Sequence, residues 1–379
     1  MTFDPSRLVH PAVLSLKPYQ PGKPVSECQR EYGLKEVIKL ASNENPLGTS
    51  EQVYARLTDS FADLARYPDG AAYALKQALS DHWHISADQL LLGNGSEDVL
   101  KMLIQAFVWG NAEILVPQYA FMAYKILAQS MGLAIREIPV CDQSFGVDLE
   151  GLLAAVKTNT RMIILANPNN PTGSLITQAE LAHFLARLPN DVIVICDEAY
   201  YEYVLDTTYA NTQQLQKAYP NVVITRTFSK AYGLAGLRVG YAIADPQVIA
   251  LVNRLRQPFN VNHLAQVAAT IALQDQDFVK RSVVLNEQGK AQWGAGLAPL
   301  ASLGVKALPI QGNFILVAVP VAGEILYQGL LTQGIIIRPL TPYALNDYIR
   351  ISIGLESENA FCLDRLTDIL QSVKKEKVA

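Results

Sequence analysis

Short apolar runs separated by polar turns mark the middle of the chain. EILVP (113–117), RMIILANP (161–168), DVIVICDEAY (191–200) and VVITRTFSK (222–230) carry aliphatic or β-branched residues on both parities. A strand apolar on both faces is covered on both faces, as in a parallel sheet. Between these runs, apolar positions recur at helical spacing. Val99, Met102, Leu103, Ala106 and Phe107 form one such face. Ser96 is expected to cap that helix, with Glu97 and Asp98 in a first turn whose dipole favours negative charge. Thr177 and Glu180 form a T-x-x-E capping box ahead of Leu181, Phe184, Leu185 and Leu188. Strand–helix alternation of this kind predicts an α/β architecture.

The two ends of the chain read differently. From about residue 300, NFILVAVP (313–320), GIIIRPL (334–340) and YIRISIG (348–354) predict short strands, flanked by helices around 321–332 and 357–374. That pattern predicts a smaller α+β lobe. The first 40 or so residues, with Pro18, Pro21 and Pro24, are expected to be extended and to run over the surface. A chain of 379 residues is long enough for two cores, which separate beyond ~250–300 residues. The expected division is a large domain over 45–290, with 1–44 and 291–379 forming the small domain and its N-terminal arm.

Composition narrows the function classes. Hydrophobic residues are 50% and charged residues 17%, as in a compact soluble enzyme. A net charge of −4 gives no electrostatic reason to expect nucleic acid or an anionic membrane as partner. No window reaches the ~20 apolar residues of a membrane span. The N-terminus lacks the cationic start and apolar run of a secretory signal. Cys28, Cys141, Cys196 and Cys362 lie far apart with no CxxC pair. They read as reduced thiols of a cytoplasmic protein, and their spacing argues against zinc.

Four polar features fall at the ends of predicted strands, where open α/β sheets bind their ligands. They are Asn170 in NPNNPTG, Asp197 with Tyr200 three residues on, the run Thr227-Phe228-Ser229-Lys230, and Arg238. Singly, each has an ordinary reading: a tight turn, a helix cap, a solvated lysine, half of a surface ion pair. Their order and their spacing of 27, 33 and 8 residues carry more weight. The turn LLGNGSEDV adds backbone N–H groups of Gly95, Ser96 and Glu97 at a helix N-terminus, a natural anion site. Gly93-x-Gly95 also begins a dinucleotide fingerprint, but Asp98 stands where the third glycine belongs.

In that order and spacing the chain resembles the fold-type I pyridoxal-phosphate aminotransferases, whose motifs run N-P-T-G, D-x-x-Y, S-K and R. The resemblance covers nearly the whole chain. It implies a large, mixed, mostly parallel sheet domain with helices on both faces, plus a smaller α+β domain. It implies pyridoxal 5′-phosphate held covalently by Lys230, a desolvated amine, with Asp197 pairing the pyridine nitrogen. Asn170 and Tyr200 would hydrogen-bond the ring's phenolic oxygen. Arg238, Ser229, Thr227 and the Gly95–Ser96–Glu97 turn would hold the phosphate. Tyr119 matches the aromatic residue that stacks on the ring. Tyr67 matches a tyrosine that reaches the neighbouring subunit's phosphate, which implies a homodimer with shared active sites. Among 17 tyrosines, neither would stand out alone.

A closer resemblance is to the histidinol-phosphate aminotransferases, in PYQPGKPVSECQREYG, IKLASNENPLG, RYPDG, TFSKAYGLAGLRVGYAIA and YIRISIG. It implies that Arg350, Arg338 and Tyr19, beside Asn170, take the anionic groups of the amino donor and the 2-oxo acid. The family's G-T-x-E-E after the Arg350 strand reads GLESEN here, with Leu355 in place of threonine. The implied reaction is transamination between L-histidinol phosphate and 2-oxoglutarate. An aromatic amino-acid aminotransferase shares most of these motifs and stays open as the alternative. A pyridoxal-phosphate decarboxylase and a catalytically silent regulator are more distant rivals. The latter class carries a basic helix-turn-helix extension that this chain lacks.

Overall fold

The computed structural model describes residues 3–16, 18, 21–141, 144–308 and 311–378. Its largest sheet among these residues has seven strands: β1 (Leu90–Gly93), β2 (Glu113–Pro117), β3 (Ala134–Ile138), β4 (Thr160–Ala166), β5 (Ile193–Asp197), β6 (Val222–Thr227) and β7 (Gly240–Ile243). Their spatial order is β1-β7-β6-β5-β4-β2-β3. Strands β2 to β6 run parallel; β7 is antiparallel to both β6 and β1.

Successive residues of these strands face opposite layers, which is why both parities are apolar. Ile164, Ile195 and Val223 pack with Val99 and Leu103 of the helix Ser96–Phe107. Leu165, Val194 and Cys196 pack with Phe184 of the helix Gln178–Arg187. The Thr177–Glu180 capping box opens that second helix as the sequence predicts. Ser96, in contrast, does not cap. Gly95 is the N-cap residue, at φ +85°, and no side chain closes the helix start. Its first-turn N–H groups therefore stay available to an outside acceptor.

Beyond residue 300 a four-stranded antiparallel sheet forms from β8 (Lys306–Ala307), β9 (Phe314–Ala318), β10 (Arg338–Leu340) and β11 (Leu345–Ser352), in the order β10-β11-β9-β8. The helix Gln276–Leu297 crosses the expected boundary at 290. It gives Val279 to the core against the large sheet and Trp293 and Leu297 to the core of the small one. The N-terminal arm departs from the extended surface path expected of it. VSECQREY forms a helix (Val25–Tyr32) that stops at Gly33, φ +67°. Cys28 on that helix is fully buried with Ala41, Leu331 and Ile336. Next, Ile38–Lys39 pairs in parallel with Ile335–Ile336. Pro24 stands at the N-cap of that helix, and the apolar residues after it pack on the small lobe.

One buried ion pair braces the strand ends. Arg226 donates to Glu198 from Nε at 2.9 Å and lies within 2.7 Å through Nη2, both side chains being almost wholly buried. The guanidinium lies between the Trp83 and Tyr201 rings, 3.8 Å from each centroid. Removing one partner strands the other charge. Glu198→Ala should therefore cost about 3–5 kcal/mol. A urea titration at fixed protein concentration should show a lower midpoint with an unchanged slope.

Candidate active site

The parallel register sets the site. Ala166 of β4 faces Asp197 of β5, and Asp197 faces Thr225 of β6. The carboxyl ends of three neighbouring strands are thus level. They bring NPNNPTG, Asp197-x-x-Tyr200 and Thr227–Lys230 to one edge. A cavity of about 180 Å³ opens there. Ser96, Glu97, Asn170, Asp197, Tyr200, Thr227, Ser229, Lys230, Arg238, Arg338 and Arg350 all line it, as do Asn43 and Tyr124.

The NPNNPTG turn serves both readings at once. Asn167 ties it off, donating from Nδ2 to Ile176 O at 3.0 Å and accepting from Ile176 N at 2.9 Å. Asn169 donates to Thr172 Oγ1 at 2.8 Å and to Tyr119 O at 3.2 Å. With the turn built by these two, Asn170 faces the cavity, where its Oδ1 accepts from Arg350 Nη1 at 2.6 Å.

Asp197 is buried at the end of β5. Tyr124 donates to its Oδ2 at 2.6 Å and Thr225 to its Oδ1 at 3.0 Å. Burial pushes its carboxyl above the usual aspartate range, against the pull of those two hydrogen bonds. A buried carboxylate that faces a cavity is stabilised by a cation placed opposite it. Lys230 follows β6 in a tight turn closed by Gly233 N to Lys230 O at 3.0 Å. Its Nζ donates to Ser42 O at 3.0 Å. Burial lowers the amine to about 7, with the charges of Arg350 and Arg238 adding to the effect and Glu44 opposing it. Such an amine is neutral, and hence nucleophilic, in a far larger fraction at neutral pH than an ordinary lysine.

An anion cradle lies beside it. Arg238 Nη1 approaches Ser229 Oγ at 3.4 Å, and Thr227 Oγ1 donates to the same oxygen at 3.0 Å. A Cβ on Gly95 would sit 2.7 Å from Arg238 Nη2, and one on Gly240 would sit 2.4 Å from Ser96 N. Only glycine leaves room for the guanidinium against the uncapped start of the Ser96–Phe107 helix. Two cationic or dipolar donors converge with two hydroxyls, which suits a phosphate monoester.

Across the cavity, Arg338 of β10 and Arg350 of β11 are direct cross-strand partners. Arg350 is buried and also donates from Nη2 to Ala41 O. Like charges placed opposite each other on neighbouring strands repel. Both line the same cavity, so an anion arriving there would meet two guanidinium groups on one wall.

Tyr119 and Tyr67 are not among the residues lining the cavity. Tyr119 packs edge-on against Phe145, and the aromatic residues lining the cavity on that side are Phe121 and Tyr124. Tyr67 is 82% exposed and stacks on Phe259 with centroids 4.6 Å apart, away from the chain's own cavity. Tyr19 lies outside the described residues. Two further residues line the site without their side chains being singled out by spacing. Tyr124 sits in an apolar helical stripe and reads as core. Asn43 sits in a turn-like ASNENP segment and donates to the Tyr200 hydroxyl at 2.9 Å.

Comparison with known proteins agrees with this geometry. The profile of aminotransferase class I and II matches residues 35–366. The histidinol-phosphate aminotransferase of Methylobacillus flagellatus is 46% identical, over 95% of this chain and 96% of that protein. Histidinol-phosphate aminotransferase 1 of Nitrosococcus oceani is 44% identical over 98% of both. Among solved structures, histidinol-phosphate aminotransferase from Sinorhizobium meliloti, in complex with pyridoxal-5′-phosphate, superposes with a TM-score of 0.87. It is 29% identical, covering 96% of this chain and 98% of that one. The chain belongs to the class I and II aminotransferases, and within them to the histidinol-phosphate aminotransferase family.

Proposed function

We propose that the protein transfers the amino group of L-histidinol phosphate to 2-oxoglutarate, giving imidazole-acetol phosphate and L-glutamate, with pyridoxal 5′-phosphate as cofactor. The carrying observation is the cross-strand pair Arg338–Arg350 on the wall facing Lys230's cavity. Both amino substrates bring an anion to that wall, a phosphate in one half-reaction and a carboxylate in the other.

The residues present fit the cofactor. Arg238, Ser229, Thr227 and the Gly95–Glu97 turn would hold its phosphate. Asp197 would pair the pyridine nitrogen and keep it protonated. Asn170 and Tyr200 would hydrogen-bond the phenolic oxygen. The bound cofactor supplies a sink for the electron pair left on the substrate's α-carbon. Lys230 would anchor it covalently. Displaced by the substrate amine, Lys230 Nζ would take the α-proton and return it two atoms along, on the far side of the amino nitrogen. Arg338 and Arg350 would orient the donor so that this proton faces Nζ, with Tyr19 as a further phosphate contact and Tyr119 against the ring.

Tyr67, exposed and turned from its own site, would serve the partner's phosphate in a homodimer with shared active sites. We take 45–290 and 1–44 with 291–379 as the two domains. No described helix is long and apolar enough to cross a membrane. All four cysteines are free, and we assign the enzyme to the reducing cytoplasm.

The aromatic wall of Phe121, Tyr124 and Tyr343 favours a second reading, in which phenylalanine or tyrosine is the donor. A comparison of kcat/KM separates the two. The wild type should prefer histidinol phosphate over phenylalanine, and Arg338→Ala should reduce that preference about 10- to 100-fold, the worth of a charge-assisted hydrogen bond. A preference unchanged by the substitution would remove the phosphate pocket from this reading.

A further inference from the structure

We propose that Asn43, locked by Ser352, is a positioning residue that fixes the direction of the Tyr200 hydrogen bond. The inference rests on the cofactor reading above and concerns how this chain orients one of its groups.

Asn43 is 1% exposed and has φ +54°, a left-handed conformation that asparagine tolerates. Its Nδ2 donates to the Tyr200 hydroxyl oxygen at 2.9 Å. Its backbone N–H donates to Ser352 Oγ at 2.8 Å, and Ser352 Oγ donates back to Asn43 Oδ1 at 2.9 Å. Asn313 Nδ2 donates to Asn43 O at 3.0 Å. These contacts decide which way the amide faces. Ser352 Oγ already accepts from the Asn43 backbone, so its own hydrogen uses Oδ1. Turned over, the amide would take that acceptor away from a hydroxyl whose residue is 3% exposed.

The consequence falls on Tyr200. Asn43 Nδ2 occupies one lone pair of its oxygen, so the phenol's O–H is the part left to address the cavity that Tyr200 lines. Burial raises the phenol to about 12, which keeps it protonated; Arg350 and Asn43 pull it down, while Asp197 and Tyr343 push it up. Lys230 Nζ lies 5.7 Å from the ring centroid. Tyr200 is therefore held as a donor to whichever oxygen lies against it. A hydrogen bond donated to the cofactor's phenolic oxygen draws off negative charge there. It thereby lowers the basicity of the nitrogen that Lys230 contributes.

Asn43→Asp tests the direction itself. The side chain keeps its size and tolerates the same φ, but a carboxylate only accepts, so the Tyr200 hydrogen turns from the cavity to residue 43. The readout is the pH midpoint of the holoenzyme's visible absorption band. It should rise by about 1 unit in Asn43→Asp, and by a similar amount in Tyr200→Phe. In the Tyr200→Phe background, Asn43→Asp should add no further shift. An equal shift in both backgrounds would be a plain charge or packing effect and would overturn the inference. Ser352→Ala, which only unlocks the amide, should raise the midpoint less, again solely when Tyr200 is present. It carries the same test should Asn43→Asp fail to fold. A wild-type protein with no visible band would sink the cofactor reading and this inference with it. A wild-type band that titrates but is unmoved by both substitutions sinks this inference alone.

Discussion

Lys230→Ala should lower kcat by at least about 10⁴-fold, because on the proposed roles the substitution would remove both the covalent anchor and the proton carrier. The amine sits in a turn directly after β6, opposite Asp197 and within reach of Arg350. Burial and the neighbouring guanidinium groups bring it to about 7. Below that value Nζ holds its proton and cannot attack; above it the amine is neutral. Covalent capture of the cofactor by cofactor-free protein should therefore speed up as pH rises through about 7, roughly three units below an ordinary lysine. Borohydride should fix the cofactor onto the peptide containing Lys230 in the wild type and onto none in Lys230→Ala. A variant that kept a tenth of the wild-type rate would end the assignment.

Asp197→Asn separates catalysis from stability. The buried carboxylate would face the pyridine nitrogen, and its loss leaves that nitrogen without an ionic partner. The expected fall in kcat is roughly 100- to 5,000-fold, the range for breaking a buried pair. The fold should respond in the opposite sense. Burial raises the Asp197 carboxyl in the folded protein. As pH climbs past the ordinary aspartate value, the unfolded chain ionises first, which favours unfolding. Above the raised folded value the cost is constant. Melting of the cofactor-free proteins should show Asp197→Asn and wild type alike in acid, with the variant the more stable toward neutrality. A variant less stable than wild type at neutral pH would mean that Asp197 is held for structure.

The central strands were legible because β4, β5 and β6 are apolar on both parities and end in chemistry. Strand β3 was not: AIREI is an edge strand whose apolar run is broken by Arg136, paired with Glu113, and Glu137, paired with Lys125. GYAI of β7 is too short to stand out beside the lysine turn. At the site, residues close in sequence to a strand end were readable: Asn170, Asp197, Tyr200, Ser229 and Lys230. What sequence spacing cannot express is cross-strand register. That Arg338 faces Arg350 follows from an antiparallel pairing with a shift between Pro339 and Leu340. Asn43 stayed hidden because its partners Tyr200 and Ser352 are 157 and 309 residues away. Ser96 reads as a cap because serine suits that position, whereas the neighbouring glycine's left-handed conformation is what leaves the helix start open.

The cavity wall joins the two ends of the chain. Arg350 donates to Ala41 O, and Ser352 exchanges hydrogen bonds with Asn43, each pair 309 residues apart. Contacts of such long range close late in folding, after the loop between them has been ordered. During synthesis on the ribosome, the sheet and its lysine turn emerge while the wall is still missing. Chains truncated before β11 should keep the lysine yet lack the arginine and serine that complete the enclosure. The last described strand to leave the ribosome is thus the one that closes the arginine-bearing side of the cavity.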